Sequence, residues 1–367
     1  MIVRDEAHTI IAALESAAPA IASFCIVDTG SQDQTIAMIT DWSARTGIPG
    51  EVVKDVWVDF GTNRTVALRH AVADQKATHV IFLDADDRMV VDDAFAASQL
   101  EIGESYKLRN LLGGMSYRLP QLIAVDALTW ESRGPLHEYL VPLNHAPGFS
   151  DLDTITIRRN VVAGGQTVGQ SQRDKYLRDA RTLQEYLVRN PDDARSQYYL
   201  GQSYRDAAEL EQAICAYEKR IDMAGWDQET YHAMLQVGHC HEQLGQTSDA
   251  LVAYLDAWKF RKKRRDALYH VIRILRRRED YDVANLFLGL VFDVPASHGD
   301  THFVDAGASD WKLFDEASVV KYWVKDYEAS LRLTWKALEY DAWAPEQCLR
   351  IEKNAQFSRD ALLLREE

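Results

Sequence analysis

Val80-Ile81-Phe82-Leu83-Asp84-Ala85-Asp86-Asp87 is an apolar run that ends in three carboxylates within four residues. Such a run reads as a buried strand delivering negative charge to the edge of a sheet. Three anions this close repel one another unless positive charge sits among them, and a divalent cation is the expected neutraliser. Taken alone, the stretch reads equally well as a strand running into a solvated acidic turn, so its neighbours decide.

Upstream and downstream of it, to about residue 165, short apolar runs alternate with helical stretches, the pattern of βαβ units and a mainly parallel sheet. Strands are expected at Met1–Val3, Ile21–Val27, Glu51–Val58, His79–Leu83, Tyr117–Val125 and Glu138–Leu143. Helices are expected at Glu6–Ala17, Asp33–Arg45 and Thr62–Ala73. Sites in open α/β sheets gather where strands end, and Asp5, Asp28 and Asp84 all fall just past such ends. In Asp28-Thr29-Gly30-Ser31-Gln32-Asp33, Gly30 suits a turn with unusual backbone angles, and Ser31 or Asp33 suits the cap of the next helix. An ordinary capped turn leaves Asp28 unexplained.

From about Asp174 the strand signals stop. Leu200-Gly201, Tyr204, Ala213 and Tyr217 carry the small and large residues of a tetratricopeptide repeat at their proper offsets. Val237-Gly238, His241, Ala250 and Tyr254 repeat them, as do Val271-Ile272, Leu275, Ala284 and Leu288, with partial copies expected near Ala180 and near Ala329 and Leu333. The fold class is therefore α/β followed by all-α, in two domains, 1–165 and 166–367, the second interrupted by a loop at Asp293–Asp310.

Composition fits this: 367 residues, 47% apolar and 26% charged, are globular numbers. No apolar run nears the roughly 20 residues needed to span a bilayer, and no signal peptide is expected. The four cysteines (Cys25, Cys215, Cys240, Cys348) form no CxxC pair, which argues against a zinc site and fits a reducing cytoplasm. A net charge of -15 disfavours nonspecific nucleic-acid binding. Between Lys259 and Arg278, however, ten Lys and Arg residues face only Asp266, which reads as a solvated helix face or as a docking patch for a polyanion.

Met1-Ile2-Val3-Arg4-Asp5-Glu6, Val27-Asp28-Thr29-Gly30-Ser31-Gln32-Asp33-Gln34-Thr35 and Leu83-Asp84-Ala85-Asp86-Asp87, in this order and at these intervals, resemble family 2 glycosyltransferases of the GT-A (Rossmann-like) fold. Phe60-Gly61-Thr62-Asn63-Arg64 resembles the segment between the second and third, with Asn63 and Arg64 in reversed order. Gly134 and Leu136-His137-Glu138-Tyr139-Leu140 resemble a segment of the branch that carries tetratricopeptide repeats.

The resemblance implies a metal-dependent, inverting transfer of a sugar from a nucleotide diphosphate sugar, most simply a UDP-sugar, to a protein, peptide or glycan acceptor. It implies donor contacts from Val3, Asp5, Glu6, Asp28, Arg64, Asp84, Ala85 and Asp86. A Mn2+ or Mg2+ ion is expected at Asp86, with Asp87 and His137 beside it, because the departing diphosphate gains charge that a metal stabilises. The base that takes the acceptor's proton is expected at Glu138 or Glu131. Two alternatives stand beside this reading: a catalytically inactive repeat scaffold, and transfer to a polyanion such as nucleic acid. A homodimer through the helical half is a further expectation.

Overall fold

A computed structural model of the protein describes the chain except for residues 74–76, 113–114, 126–129, 144–147, 160–170, 224, 296–298, 301–302, 304, 341–342 and 367. The chain divides into two compact units, Met1–Arg189 and Asn190–Glu367.

In the first unit, β1 (Ile2–Val3), β2 (Phe24–Asp28) and β3 (Gly50–Lys54) form a parallel sheet in that order, with Val3 beside Asp28 and Asp28 beside Lys54. Ile26 and Val27 are both buried, as a strand covered on two faces requires. The connections carry α1 (Ile10–Ala17) and α2 (Thr35–Thr46), and α3 (Phe60–Ala73) follows β3. One stripe of α1 is apolar and buried: Ile10, Ala13, Leu14 and Ala17. Ile10 and Leu14 pack with Val3, Ile26, Ile39, Trp42 and Ala85, whereas Ala13 and Ala17 pack with Leu83, Met89, Leu108, Leu122, Ile155 and Ile157. A single helix thus serves two cores.

The second core belongs to another sheet. The remaining strands are β4 (His79–Ile81), β5 (Arg88–Val91), β6 (Ser105–Leu112), β7 (Met115–Ala124), β8 (Trp130–Arg133), β9 (Tyr139–Pro142) and β10 (Phe149–Arg158). Five of them form a mixed sheet in the order β4-β7-β6-β10-β5, and β8 and β9 form an antiparallel pair. This corrects the expectation of a mainly parallel sheet. Only β6 and β10 pair in parallel there, because β6 and β7 are joined by a connection too short for a crossover. β10 escapes sequence reading because Ser150, Asp151 and Asp153 break its apolar pattern on the exposed side. Helix α4 (Gln172–Arg189), which carries Ala180, is part of the first unit.

The second unit is built of helix pairs of the tetratricopeptide type. They are α5 (Ala194–Asp206) with α6 (Leu210–Asp222), α7 (Asp227–Gln243) with α8 (Thr247–Phe260), and α9 (Asp266–Arg277) with α10 (Tyr281–Asp293). A single helical turn, α11 (Ala306–Ser309), precedes the pair α12 (Trp311–Trp323) and α13 (Tyr327–Leu338), and α14 (Pro345–Glu366) packs on α13. A Cβ on Gly201 would lie 2.7 Å from the Tyr217 ring, and one on Gly238 would lie 2.5 Å from the Tyr254 ring. In the third pair the volumes are exchanged: Ile272 takes the glycine place and Leu288 the tyrosine place, both fully buried.

The fourth pair shows where sequence spacing slips by one residue. Ser330, not Ala329, is the fourth residue of its helix, as Ala213, Ala250 and Ala284 are of theirs. Ser330 Oγ donates to the Ser318 carbonyl at 2.8 Å, so a hydroxyl bond stands where the other pairs use methyl contact. Two adjacent small residues leave the choice open to spacing alone.

All four pairs turn on one residue with positive φ: Ala208 (61°), Gly245 (73°), Glu279 (62°) and Lys325 (65°). The next N–H then bonds back five residues, from Glu209 to Tyr204, Gln246 to His241, Asp280 to Leu275 and Asp326 to Lys321, at 2.9–3.0 Å. Only Gly245 adopts this backbone without steric cost. Lys325→Gly is therefore expected to stabilise the unit by about 0.5–1 kcal/mol, read as a higher urea midpoint at unchanged slope. No described helix is long and apolar enough to cross a membrane.

Candidate functional site

Burial alternates through the acidic turn, although residues 82–87 lie between β4 and β5 and not on a strand. Leu83, Ala85, Asp87 and Met89 point inward and are buried, whereas Asp84 and Asp86 are partly exposed. Position in the alternation, more than charge, sorts the three carboxylates.

Two arginines supply the positive charge that the sequence demands. Arg64 on α3 donates from Nη2 to Asp84 Oδ1 at 2.6 Å, and its Nε lies 2.8 Å from Glu138 Oε1. Arg159, just past β10, places Nη1 2.9 Å from both Asp84 Oδ2 and Asp87 Oδ2. Its Nε donates to Asn110 Oδ1 at 3.0 Å, and Asn110 donates in turn to Gln121 Oε1 at 2.6 Å. The result is one chain of opposite charges: Glu138, Arg64, Asp84, Arg159, Asp87. Burial pushes the Asp84 carboxyl up, but the two guanidiniums outweigh it and hold it below the usual carboxylate range. Arg159 carried no signal in the sequence, because its partners lie 72 and 75 positions upstream.

A close backbone contact sets Arg64 opposite Glu138. Gly61 N donates to Gly134 O at 3.1 Å, and a Cβ on Gly61 would lie 2.6 Å from that oxygen. Thr65 Oγ1 donates to Ser132 O at 3.1 Å and accepts from Ser132 N at 2.8 Å, which pins α3 to the β8–β9 pair. Asn63 faces the other way: it accepts from Val58 N at 2.9 Å and donates to Val56 O at 3.0 Å, ordering the loop before α3. Glu138 and His137 precede β9 and do not lie on it, and His137 is exposed with φ of 53°. Glu131 on β8 pairs with Arg133 Nε and is outside the chain of charges.

The loops after β1 and β2 are laced together at the same edge. Thr29 N and Oγ1 both donate to Val3 O, at 2.9 and 3.1 Å. Asp5, at φ of 54°, accepts from Gln32 N at 2.7 Å, and its own N–H donates to Ser31 Oγ at 3.0 Å. Glu6 N donates to Thr35 Oγ1 at 2.8 Å. Asp28, almost fully buried, folds back to accept from Gly30 N and Ser31 N at 3.2 Å. Burial raises the Glu6 pKa, its bond from Thr9 lowers it, and the nearby Asp86 charge raises it again, so the first loop and the acidic turn are electrostatic neighbours.

Among the described residues, the Asp86 side chain makes no hydrogen bond or ion pair, and no three His, Cys, Asp or Glu side chains converge as a metal-ligand set. Asp84 and Asp87 are held by arginine. The donor set therefore fits a Mn2+ or Mg2+ ion that brings phosphate oxygens and water with it, which needs one or two carboxylates, and does not fit a resident ion held by the protein alone.

The basic run of the helical unit is largely neutralised. Arg264, with no exposed surface, pairs with Asp266 at 2.5 Å and with Asp300 at 3.2 Å, and Arg261 also binds Asp300. Arg273 pairs with Glu242, Arg276 with Glu316, Lys259 with Asp256 and Arg278 with Asp280. Arg265 donates to Val294 O at 2.7 Å. Lys262 and Arg277 are the members without an ion pair among the described residues. Lys259, Lys262, Lys263, Arg277 and Arg278 are exposed, whereas Arg264 and Arg265 are buried, so only part of the run is a solvated face and most of its charge is met by carboxylates.

No family model matches the chain, and no curated protein matches it. Among solved structures it is similar to MamA, at 16% identity over 47% of this chain and 95% of that one, with a TM-score of 0.35. It is similar to BtubC from P. vanneervenii at 11% identity, 52% and 83% coverage and a TM-score of 0.40. A third, YrrB, a tetratricopeptide repeat protein with an unusual peptide-binding site, matches at 16% identity, 51% and 84% coverage and 0.34. At these values no family is assigned; the repeat architecture stands on the helix pairs described above.

Proposed function

We propose that the helical unit is a polypeptide-binding array and that the first unit is a donor site for sugar transfer from a nucleotide diphosphate sugar. Stacked helix pairs offer a long, quasi-one-dimensional surface suited to an extended chain, which supports the first part. One observation carries the second: an unpartnered Asp86 carboxylate sits beside two carboxylates already neutralised by Arg64 and Arg159. Charge is thus satisfied everywhere in the turn except where a metal–diphosphate would arrive. A metal held there would stabilise negative charge on the departing diphosphate. Arg64 and Arg159 would keep Asp84 ionised as an acceptor for donor hydroxyls, and Glu138 would hold Arg64 in place. Glu131 then stands as the candidate base, its carboxylate tied among the described residues to Arg133 alone.

Calorimetry with uridine diphosphate and Mn2+ tests the donor site. Binding is expected for the unmodified protein and at least a tenfold loss for Asp86→Asn, with the melting temperature unchanged. Equal heats for both proteins would reject the assignment of Asp86.

A second reading, an array without catalysis, is favoured by one observation: Asp28 spends its oxygens on its own turn. It predicts no heat with any nucleotide in either protein.

A further inference from the structure

A buried polar relay crosses the five-stranded sheet and ends on Arg159. Asn110 on β6 is fully buried, and Gln121 on β7 is 6% exposed. Asn110 Nδ2 donates to Leu108 O at 3.1 Å and to Gln121 Oε1 at 2.6 Å, while its Oδ1 accepts from Arg159 Nε at 3.0 Å. Nε can only donate, so the amide has to turn its oxygen to the guanidinium, and the direction of the contact is fixed. A buried amide costs stability unless its bonds are made, and those of Asn110 are made, the last of them to Arg159.

The guanidinium carries five N–H groups in one plane, and its protein partners use only part of them. Nε faces Asn110, and Nη1 faces Asp84 Oδ2 and Asp87 Oδ2, both at 2.9 Å. The N–H groups of Nη2 meet no acceptor among the described residues, and Nη2 is not an enclosed atom. Arg159 keeps 24% of its side chain exposed. Asp84 and Asp86 share the partly exposed side of the acidic turn. The open nitrogen thus stands next to the carboxylate two residues from Asp86.

We propose that Arg159 contacts the sugar-bearing phosphate of the donor through Nη2, and that Asn110 and Gln121 are positioning residues that aim it. The nucleoside is expected at the loops after β1 and β2, in the parallel sheet. Arg159 follows β10, in the other sheet, so the phosphate in its reach is the one farther from the nucleoside. A planar fork suits phosphate oxygens, and one already locked at Nε and Nη1 loses little freedom when its third nitrogen binds. Arg159 already offsets carboxylates, so it supplies direction more than net charge. The contact therefore counts once a metal ion has balanced the acidic turn. This rests on the donor-site reading of the first unit and names the phosphate that the site selects.

Calorimetry on the full chain with Mn2+ compares uridine diphosphate with uridine monophosphate, which lacks that phosphate. Arg159→Lys keeps a cation beside Asp84 and Asp87 but gives up the fork. It is expected to weaken the diphosphate about tenfold and the monophosphate less than about twofold. Asn110→Leu/Gln121→Met exchanges both amides for apolar groups of similar shape and leaves the guanidinium without its Nε partner. It should weaken the diphosphate alone, by about threefold. Equal loss for both nucleotides in either variant would make Arg159 a brace of the fold and overturn the proposal. Undiminished binding of the diphosphate would overturn it too, while the donor site stood on the binding of the unmodified protein. If the unmodified protein binds neither nucleotide, the donor-site reading falls and this contact falls with it.

Discussion

Acidification from about pH 7.5 to about pH 5 is expected to lower the melting temperature of the helical unit by about 10 °C or more. Three of its histidines are neutral, His270 buried and His232 and His239 half-buried. Burial is the main cause in each: it brings His232 down to about 3 and His239 down to about 4, and it drives His270 well below the ordinary value. Arg205 and Arg273 push the same way as burial, and Glu242 opposes them at His239. His239 Nε2 lies 3.3 Å from His270 Nε2, and the two rings cannot both charge at that distance without repulsion.

The sign follows from proton counts. A depressed folded pKa means that the folded state binds fewer protons, so stability is full above the unfolded value near 6.5 and falls as pH drops below it. At pH 5, about 1.5 units below that value, each such histidine costs roughly 2 kcal/mol, so His232 and His239 alone remove about 4 kcal/mol from a typical total of 5–15. Paired carboxylates such as Asp300, held low chiefly by its Arg261 bond, contribute only at lower pH, so the window from 6.5 to 5 belongs to histidine. His270→Phe keeps a ring against Tyr254, now stacked at 4.7 Å, and should flatten the profile. Identical melting curves at the two pH values, followed by circular dichroism, would dispose of the idea.

What the sequence discloses here depends on how local the cause is. The helix pairs are legible because Gly201 with Tyr217 and Gly238 with Tyr254 are steric locks at fixed spacing. The fourth pair slips by one because Ala329 and Ser330 are equally small, and only the Ser318 contact chooses between them. At the candidate site, an alternation of inward and outward residues is written in Leu83-Asp84-Ala85-Asp86-Asp87 and already separates Asp86 from Asp87. The neutraliser is not written there. It comes from Arg64 and Arg159, the second reached through a mixed sheet whose polar-faced strands give weak signals. The partners of Arg264, Arg273 and Arg276 are hidden for the same reason: Asp300, Glu242 and Glu316 are distant in sequence and adjacent in space.

Replacing Arg159 by methionine is expected to destabilise the first unit by about 3–5 kcal/mol, the usual cost of taking the partner from a buried charge. Arg64 would still hold Asp84, but Asp87, with 3% of its side chain exposed, would lose its 2.9 Å ion pair with Arg159. Methionine matches the length and apolar stem of arginine, so lost packing contributes little. The energetic signature is a rescue: Arg159→Met/Asp87→Asn should recover more than half of the loss, since an amide in that place carries no charge to strand. Asp86→Asn, by contrast, should move the urea midpoint by less than about 0.5 kcal/mol equivalent, because that carboxylate supports no ion pair among the described residues. A large loss for Asp86→Asn, or none for Arg159→Met, would show that the roles of the carboxylates are exchanged. In that event the turn would be a structural brace, with no carboxylate left over to meet a metal–diphosphate.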